Sequence, residues 1–490
     1  MNQAHPEYDV PGHDPRRWLA LVVIALAQLM VVLDASIVNI ALPSMQASLG
    51  FSDADRQWVV TAYTLAFGGF LLLGGRIADY QGRKRMFIIG LIGFAAASAF
   101  GGFAVNTGML LVARGLQGLF AALLAPAALS LITVTFVDAK ERAKAFGVYG
   151  ALSGGGAAIG LVLGGVLTQY ASWHWVMLVN VPIAIIAVLM AIPIVHESRA
   201  HGDTRYDIPG AIVATLGLVS LVYGITKANT DGWNGTATLT FMGIGIVLLI
   251  VFLIIEMKSS HPLLPLSILK NRNRGGAYLA SFIMGIGLFA MFLFITYFMQ
   301  LVLGYTPLTA GLLFLPFSAG VIISAGIASQ LLPRFGPRYI TLVGFVMAII
   351  GMFWFAQMTP TTTYWPGILG PMIVMSLGMG LIFVPLSTVA LFGVGNHDAG
   401  VASAVLNTSQ QIGGSIGVAF LNTIATSATA AFIIEHQLQM PTPDALVSGF
   451  TEAFKYAAFL LIAAAVIWTI LVTMTKAQLD SREEAMVHMG

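Results

Sequence analysis

Gly75-Arg76-Ile77-Ala78-Asp79-Tyr80-Gln81-Gly82-Arg83-Lys84-Arg85 sits at the junction of two apolar runs, Gln57 to Ala78 and Met86 to Val105. Each run supplies the roughly 20 apolar residues that a membrane-crossing helix needs. The charged stretch between them reads as a short loop at a membrane face. Working outward, further runs cover Arg17–Leu42, Thr107–Phe136, Ala145–Gln169, Trp175–Val195, Ile208–Lys227 and Ala237–Glu256. Six more begin near Gly276, Thr306, Arg338, Trp365, Gly400 and Phe450. The expectation is an all-α polytopic membrane protein with fourteen spans.

Basic residues orient this layout, because cytoplasmic loops retain Lys and Arg near helix ends. Nineteen of the 23 fall on the face that carries Arg83 to Arg85, three (Arg56, Lys227, Lys455) fall on the other, and Arg114 lies within a span. The nineteen-residue face is therefore expected in the cytoplasm, together with both termini. The first run is longer than a signal-peptide core and contains Asp34, so it reads as a retained span.

Composition agrees with this reading. Of 490 residues, 58% are hydrophobic and 9% charged, against roughly 25% charged in a soluble domain. A soluble globule is excluded. A net charge of +2 leaves no basic surplus for nucleic acid. With no cysteine there is no thiol nucleophile and no thiolate metal site.

A weaker echo of the opening stretch, Gly326-Ile-Ala-Ser-Gln330 followed by Arg334-Phe-Gly336-Pro-Arg338, occurs late in the chain. Both follow the second span of a six-span block. The chain parses as a cytoplasmic tail (1–16), an N-terminal six-helix bundle (17–198), an inserted helix pair with its flanking loops (199–274), a C-terminal six-helix bundle (275–475) and a second tail (476–490). Parallel repeats of this kind occur in carriers whose halves rock about a midplane site.

At this point the residues resemble a family. The Gly75 to Arg85 loop is similar to the signature loop of the major facilitator superfamily. Leu33-Asp34-Ala-Ser-Ile-Val-Asn39-Ile-Ala-Leu-Pro43 resembles the first-span motif of its fourteen-span drug:proton antiporter branch, and Arg114-Gly-Leu-Gln117-Gly118 resembles the fourth-span motif. The antiporter motif of the fifth span corresponds to Gly160-Leu-Val-Leu-Gly164-Gly165, with Leu161 where the resemblance expects Pro. The resemblance implies a major facilitator fold arranged 6 + 2 + 6 in the cell inner membrane. It also implies a proton-coupled exporter of bulky hydrophobic compounds, neutral or monocationic, with small substrate, protons and lipid as partners. The working unit is expected to be a monomer without cofactor or metal.

Charges near a bilayer centre cost at least about 2.5 kcal/mol on insertion scales and mark functional sites. Asp34 and Arg114 are the two such charges. At about 1.5 Å per residue both lie about 20–25 Å from the basic face, so they are expected to meet in one cavity. Burial disfavours a carboxylate and a nearby guanidinium favours it, so a change in their separation would switch proton binding. Asp34 is the expected proton carrier; a static ion pair is the alternative. A single interior carboxylate predicts exchange for one proton.

Candidate substrate contacts are Asn39, Tyr63 and Gln117 in the first half. In the second half they are Tyr297, Gln300 and the trio Asn407, Gln410 and Gln411, whose spacing places the trio on one helix face. Hydrogen bonding between helices is an equal alternative for the trio. The expected cytoplasmic gate comprises Gly75, Asp79, Gly82, Arg83 and Arg142, with Arg142 a candidate partner for Asp79 and with Asp79 against the start of the span near Gly400. The resemblance assigns Gly160, Gly164 and Gly165 to the fifth-span motif. The inserted pair reads as a peripheral spacer without interior charge.

Among other classes, a membrane enzyme would need gathered catalytic groups. His196-Glu197-Ser-Arg-Ala-His201 has one residue too many for a His-Glu-x-x-His zinc motif. No phosphate-binding loop or Gly-x-Ser-x-Gly is present. Within carriers, an exporter of an endogenous lipid or metabolite and a proton-coupled uptake symporter remain open.

Overall fold

The computed structural model describes residues 16–53, 55–136, 139–199, 207–259, 262–264, 270–392, 394 and 399–474. Among these residues the regular elements are helices, with no strand. They are α1 (Arg17–Leu49), α2 (Gln57–Gln81), α3 (Arg83–Gly102), α4 (Thr107–Thr135), α5 (Ala139–Tyr170), α6 (His174–Leu178), α7 (Asn180–Ile194), α8 (Ile208–Asp231) and α9 (Thr236–Lys258). They continue with α10 (Arg272–Tyr297), α11 (Pro307–Leu313), α12 (Leu315–Phe355), α13 (Leu369–Leu391), α14 (Ala399–Glu435) and α15 (Pro443–Leu471). Among the described residues, twelve helical stretches are long and apolar enough to cross a membrane. The chain is a multi-pass membrane protein.

Side chains at the turns explain where helices start. Asn106, Asp207, Thr306 and Thr442 each accept a backbone N–H from the first turn of α4, α8, α11 and α15, supplying a partner that the helix cannot. This moves the last span's start from Phe450 back to Pro443. α1 passes through Pro43 to Leu49 and ends at Gly50, whose φ of 68° suits glycine. The expected end at Leu42 is thus corrected: Pro43 forfeits one backbone bond, which the packed helix tolerates. α12 is interrupted at Gly336 (φ 70°, ψ 168°), between Pro333 and Pro337. Pro316 occupies the first turn of α12, directly after the break at Phe314 that separates it from α11.

Glycine contacts repeat in the two halves. Gly160 and Gly164 of α5 lie on Leu33 and Ile37 of α1, while Gly413 and Gly417 of α14 lie on Phe282 and Ile286 of α10. Gly74 of α2 abuts the Ala122 carbonyl of α4, and Gly344 of α12 abuts that of Gly378 in α13. Without a hydrophobic driving force between helices in lipid, such backbone approach provides the dispersion contact that holds them.

The helix ends sort into two faces. A basic end carries the starts of α1, α3 and α10 and the ends of α2 and α15. Arg17 meets Glu141 there at 2.8 Å, and Arg338 donates to the Thr469 carbonyl at 2.9 Å. The opposite, distal end carries the start of α2 and the ends of α1, α5 and α10.

The inserted pair, α8 and α9, differs from the charge-free spacer read in the sequence. Glu256 is 3% exposed, with Oε2 accepting from Leu264 N, and Asp207 is also buried. Both sit where the pair packs on the basic end of α2, through Ala211, Leu263 and Leu73. A helix end reads as exposed in one dimension, and this one is covered by the following loop.

Candidate functional site

Asp34 lies at the centre of a buried polar cluster built from five helices. Arg114 Nη1 of α4 donates to Asp34 Oδ2 at 2.6 Å. Gln117 Nε2 and Asn180 Nδ2 donate to Asp34 Oδ1 at 2.9 and 2.8 Å. Arg114 also donates through Nε to the Val59 carbonyl of α2 at 2.9 Å and through Nη1 to Gln117 Oε1 at 2.7 Å. The Tyr63 ring covers the guanidinium at 4.5 Å, a cation–π contact. Ser98 of α3 accepts from Gln117 at 2.7 Å.

Asp34 is 0% exposed and Arg114 is 1% exposed. In such a site, removing one member of an ion pair strands the other at a cost of about 3–5 kcal/mol. The carboxylate accepts all three of these donors and so ties α1 to α4 and α7.

Depth arithmetic in the sequence brings Asp34 and Arg114 together, and the structure joins them by a direct bond. Gln117 and Tyr63, expected to contact substrate, take part in this cluster. Asn39 is buried and donates to the Ala35 carbonyl of its own helix at 3.0 Å. Asn180 and Ser98 were missed by sequence reasoning. The available signal was an Asn at the start of an otherwise apolar span.

At the basic end, Asp79 accepts from Arg83 Nε at 2.9 Å and from Ser130 Oγ at 3.3 Å. The side chain of Arg142, expected near Asp79, lies outside the described residues, as do those at the start of α14. Gly82 has a φ of 119°, and a Cβ there would press on the Glu197 carboxylate. Glu197 accepts the Lys84 and Arg85 N–H groups at 3.1 Å each, capping α3 from beyond α7. Gly75 faces Pro126, 3.4 Å from where a Cβ would stand.

The two halves meet at the distal end. Tyr297 is buried and its hydroxyl donates to Gln46 Oε1 at 2.7 Å; Gln300 Nε2 donates to the Ile40 carbonyl at 2.9 Å. Thr64 and Ser415 hydroxyls are 2.5 Å apart. Gly165 of α5 lies against the Leu308 backbone of α11, and Gly311 of α11 against the Leu161 carbonyl. Tyr297 and Gln300 thus bond across the seam between the halves. Gln410 and Gln411 are half-buried along α14, with Gln411 against Gly68, while Asn407 is exposed and donates to the Ser403 carbonyl. Among the described residues, every hydrogen bond found between the halves is distal to the α2 midpoint. Among the same residues no group of three or more His, Cys, Asp or Glu is placed to hold a metal.

Comparison with known proteins places this arrangement. The model of the Major Facilitator Superfamily matches residues 24–418. The puromycin resistance protein pur8 of Streptomyces alboniger is 45% identical, over 98% of this chain and 94% of its own length. The cephamycin export protein CmcT of Amycolatopsis lactamdurans is 36% identical, over 93% of both. The multidrug resistance protein Stp of Mycobacterium tuberculosis is 32% identical, over 87% of this chain and 79% of its own length. Among solved structures, a bacterial homologue of the human lysosomal transporter Spinster, in an inward-facing and occupied conformation, matches with a TM-score of 0.66. It covers 95% of this chain and 99% of that one at 18% identity.

Proposed function

The chain belongs to the major facilitator superfamily, and on that premise we propose that it is a proton-coupled antiporter of the drug-exporting branch, carrying bulky hydrophobic compounds out of the cell by alternating access. The observation that carries this reading is the Asp34–Arg114 pair, sealed at 2.6 Å inside the first bundle, bonded directly to α2 and α7 and through Gln117 to α3. The resistance and export proteins named above support the direction and the substrate class.

In this scheme the distal end is closed and, among the described residues, no hydrogen bond joins the halves at the basic end, a state that loads substrate from the cytoplasm. Substrate enters between the bundles. Substrate binding carries the halves to the distally open state; there substrate leaves, a proton reaches Asp34 from the distal side and weakens its bonds to Arg114, Gln117 and Asn180, and α1 shifts against α4 and α7. Return of the units delivers the proton to the cytoplasm and restores the cluster. One carboxylate in the first bundle fits exchange for one proton.

The topology in this reading has fourteen spans, with both termini cytoplasmic, in the inner membrane. Two features support raising the twelve stretches to fourteen. α5 runs for 32 residues, and α12 has 41 residues divided at Gly336. Uninterrupted, α12 would measure about 60 Å, twice a hydrocarbon core of about 30 Å. The division into six, two and six helices is supported by the matching glycine contacts of α1 with α5 and α10 with α14.

The test is transport of a lipophilic fluorescent dye into inverted vesicles under an imposed pH gradient, wild type against Asp34→Asn. Gradient-driven accumulation in the wild type and its loss in the variant are expected. Equal accumulation in both would remove Asp34 from the proton path.

A further inference from the structure

We infer that Arg56 is the keystone of the distal gate, and that the inserted helix α8 is a strap across the same seam rather than a spacer. The assignment rests on the alternating-access reading above. It concerns residues that neither the family motifs nor the proton cluster use.

Arg56 precedes α2 and is 2% exposed. Its Nε donates to Asn422 Oδ1 of α14 at 2.9 Å, and its guanidinium lies over the Tyr297 ring of α10 at 4.3 Å. Asn422 in turn donates to the Asp53 carbonyl at 3.0 Å. Tyr297 binds Gln46 through its hydroxyl. One side chain of the first half is thus enclosed by two helices of the second, and those helices also hold the segment that precedes it, at Gln46 and Asp53.

The charge is incompletely matched. Its nearest carboxylate, Asp53, is 3.4 Å from Nη1 and is itself 44% exposed. Closing the gate strips water from a guanidinium and returns an amide acceptor and an aromatic face. Opening restores the water and leaves Asp53 in reach. Desolvation of the guanidinium thus offsets part of what these contacts contribute to the closed state. A fully paired, buried salt bridge in this position would hold the gate in one state.

α8 joins both halves at the same level. Gln57, next to Arg56, donates to Thr226 Oγ1 at 2.7 Å, and Thr423, next to Asn422, donates to the Ile225 carbonyl at 3.2 Å. Leu218, Val222 and Ile225 of α8 form one apolar cluster with Leu65 of α2 and Ala419 of α14. Parting α2 from α14 on the distal side must release one of these attachments. An insert that touched one half alone would leave gate opening unaffected.

The chain contains no cysteine, so a single reporter can be read directly. In a Ser415→Cys parent the thiol lies in the seam beside Thr64, and its alkylation by a membrane-impermeant maleimide from the distal side measures opening. Asn422→Ala, Arg56→Gln and Thr226→Val in that parent are each expected to raise the labelling rate several-fold. Arg56→Gln combined with Asn422→Ala is expected to do less than the two effects multiplied, because they share the Arg56–Asn422 bond. Rates equal to the parent in Asn422→Ala and Thr226→Val, which leave the charge in place and so do not depend on Arg56→Gln folding, would overturn the latch. The labelling does not require transport. Altered labelling with no dye movement in the wild type leaves the latch standing and defeats the transport reading, while dye movement with unaltered labelling does the reverse.

Discussion

The backbone of Gly118 lies against the carbonyl oxygen of Tyr63, so that a Cβ on Gly118 would overlap that oxygen and stand 3.0 Å from both Ala66 Cβ and the Phe67 amide nitrogen. This approach of α4 to α2 brings Arg114, one turn earlier, beneath the Tyr63 ring and within reach of the Val59 carbonyl. Gly118→Ala should force the helices apart at about 1–3 kcal/mol, seen as a lower melting temperature in detergent and reduced dye transport. Gly115→Ala is the control, since nothing lies within 4 Å of a Cβ there. Equal melting of the two variants would mean that the Gly118 contact is slack.

The Asp34–Arg114 pair should show its coupling in a double-mutant cycle. Arg114→Gln alone leaves a buried carboxylate without a cation and is expected to cost about 3–5 kcal/mol. Adding Asp34→Asn should recover much of that loss in thermal stability while transport stays absent. Additive losses would mean that the two residues are held independently of each other.

Glu197 is expected to order the turn at Gly82 and the first turn of α3. Three basic residues, Arg83 to Arg85, open α3, where the helix dipole disfavours them, and the Glu197 carboxylate offsets this while accepting two N–H groups. Glu197→Ala should cost roughly 1 kcal/mol and speed tryptic cleavage at Arg83 to Arg85, with Glu197→Gln intermediate. Unchanged cleavage in Glu197→Ala would show that this segment is ordered by other contacts.

Gly336 takes a backbone conformation essentially restricted to glycine. Gly336→Ala should cost of order 1–3 kcal/mol and lower the yield of monodisperse protein. Gly326→Ala, with open space around the position, should not. Equal yields would place the turn between the two parts of α12 elsewhere.

The fold was legible because lipid imposes a one-dimensional rule. Apolar runs of a fixed minimum length, separated by charge, mark the helices wherever they lie in the bundle. Asp34 and Arg114 were legible for the same reason, since a charge inside such a run is conspicuous and its depth follows from counting. Arg56 lies at the end of a run, where topogenic arginines are ordinary, so nothing local separated it from Lys227 or Lys455. Its partners Asn422 and Tyr297 lie more than 240 positions away. Their role depends on how the two halves meet, which no periodicity within one helix encodes. Glu256 was passed over likewise: the loop that buries it is invisible to a hydropathy window.

Asp34 stands behind three donors, with no surface of its own open to water. In the proposed cycle a hydrogen ion is admitted only when the lobes move, so a resting copy does not leak. A cell can keep many such carriers idle in its envelope without short-circuiting the gradient that feeds its other machines.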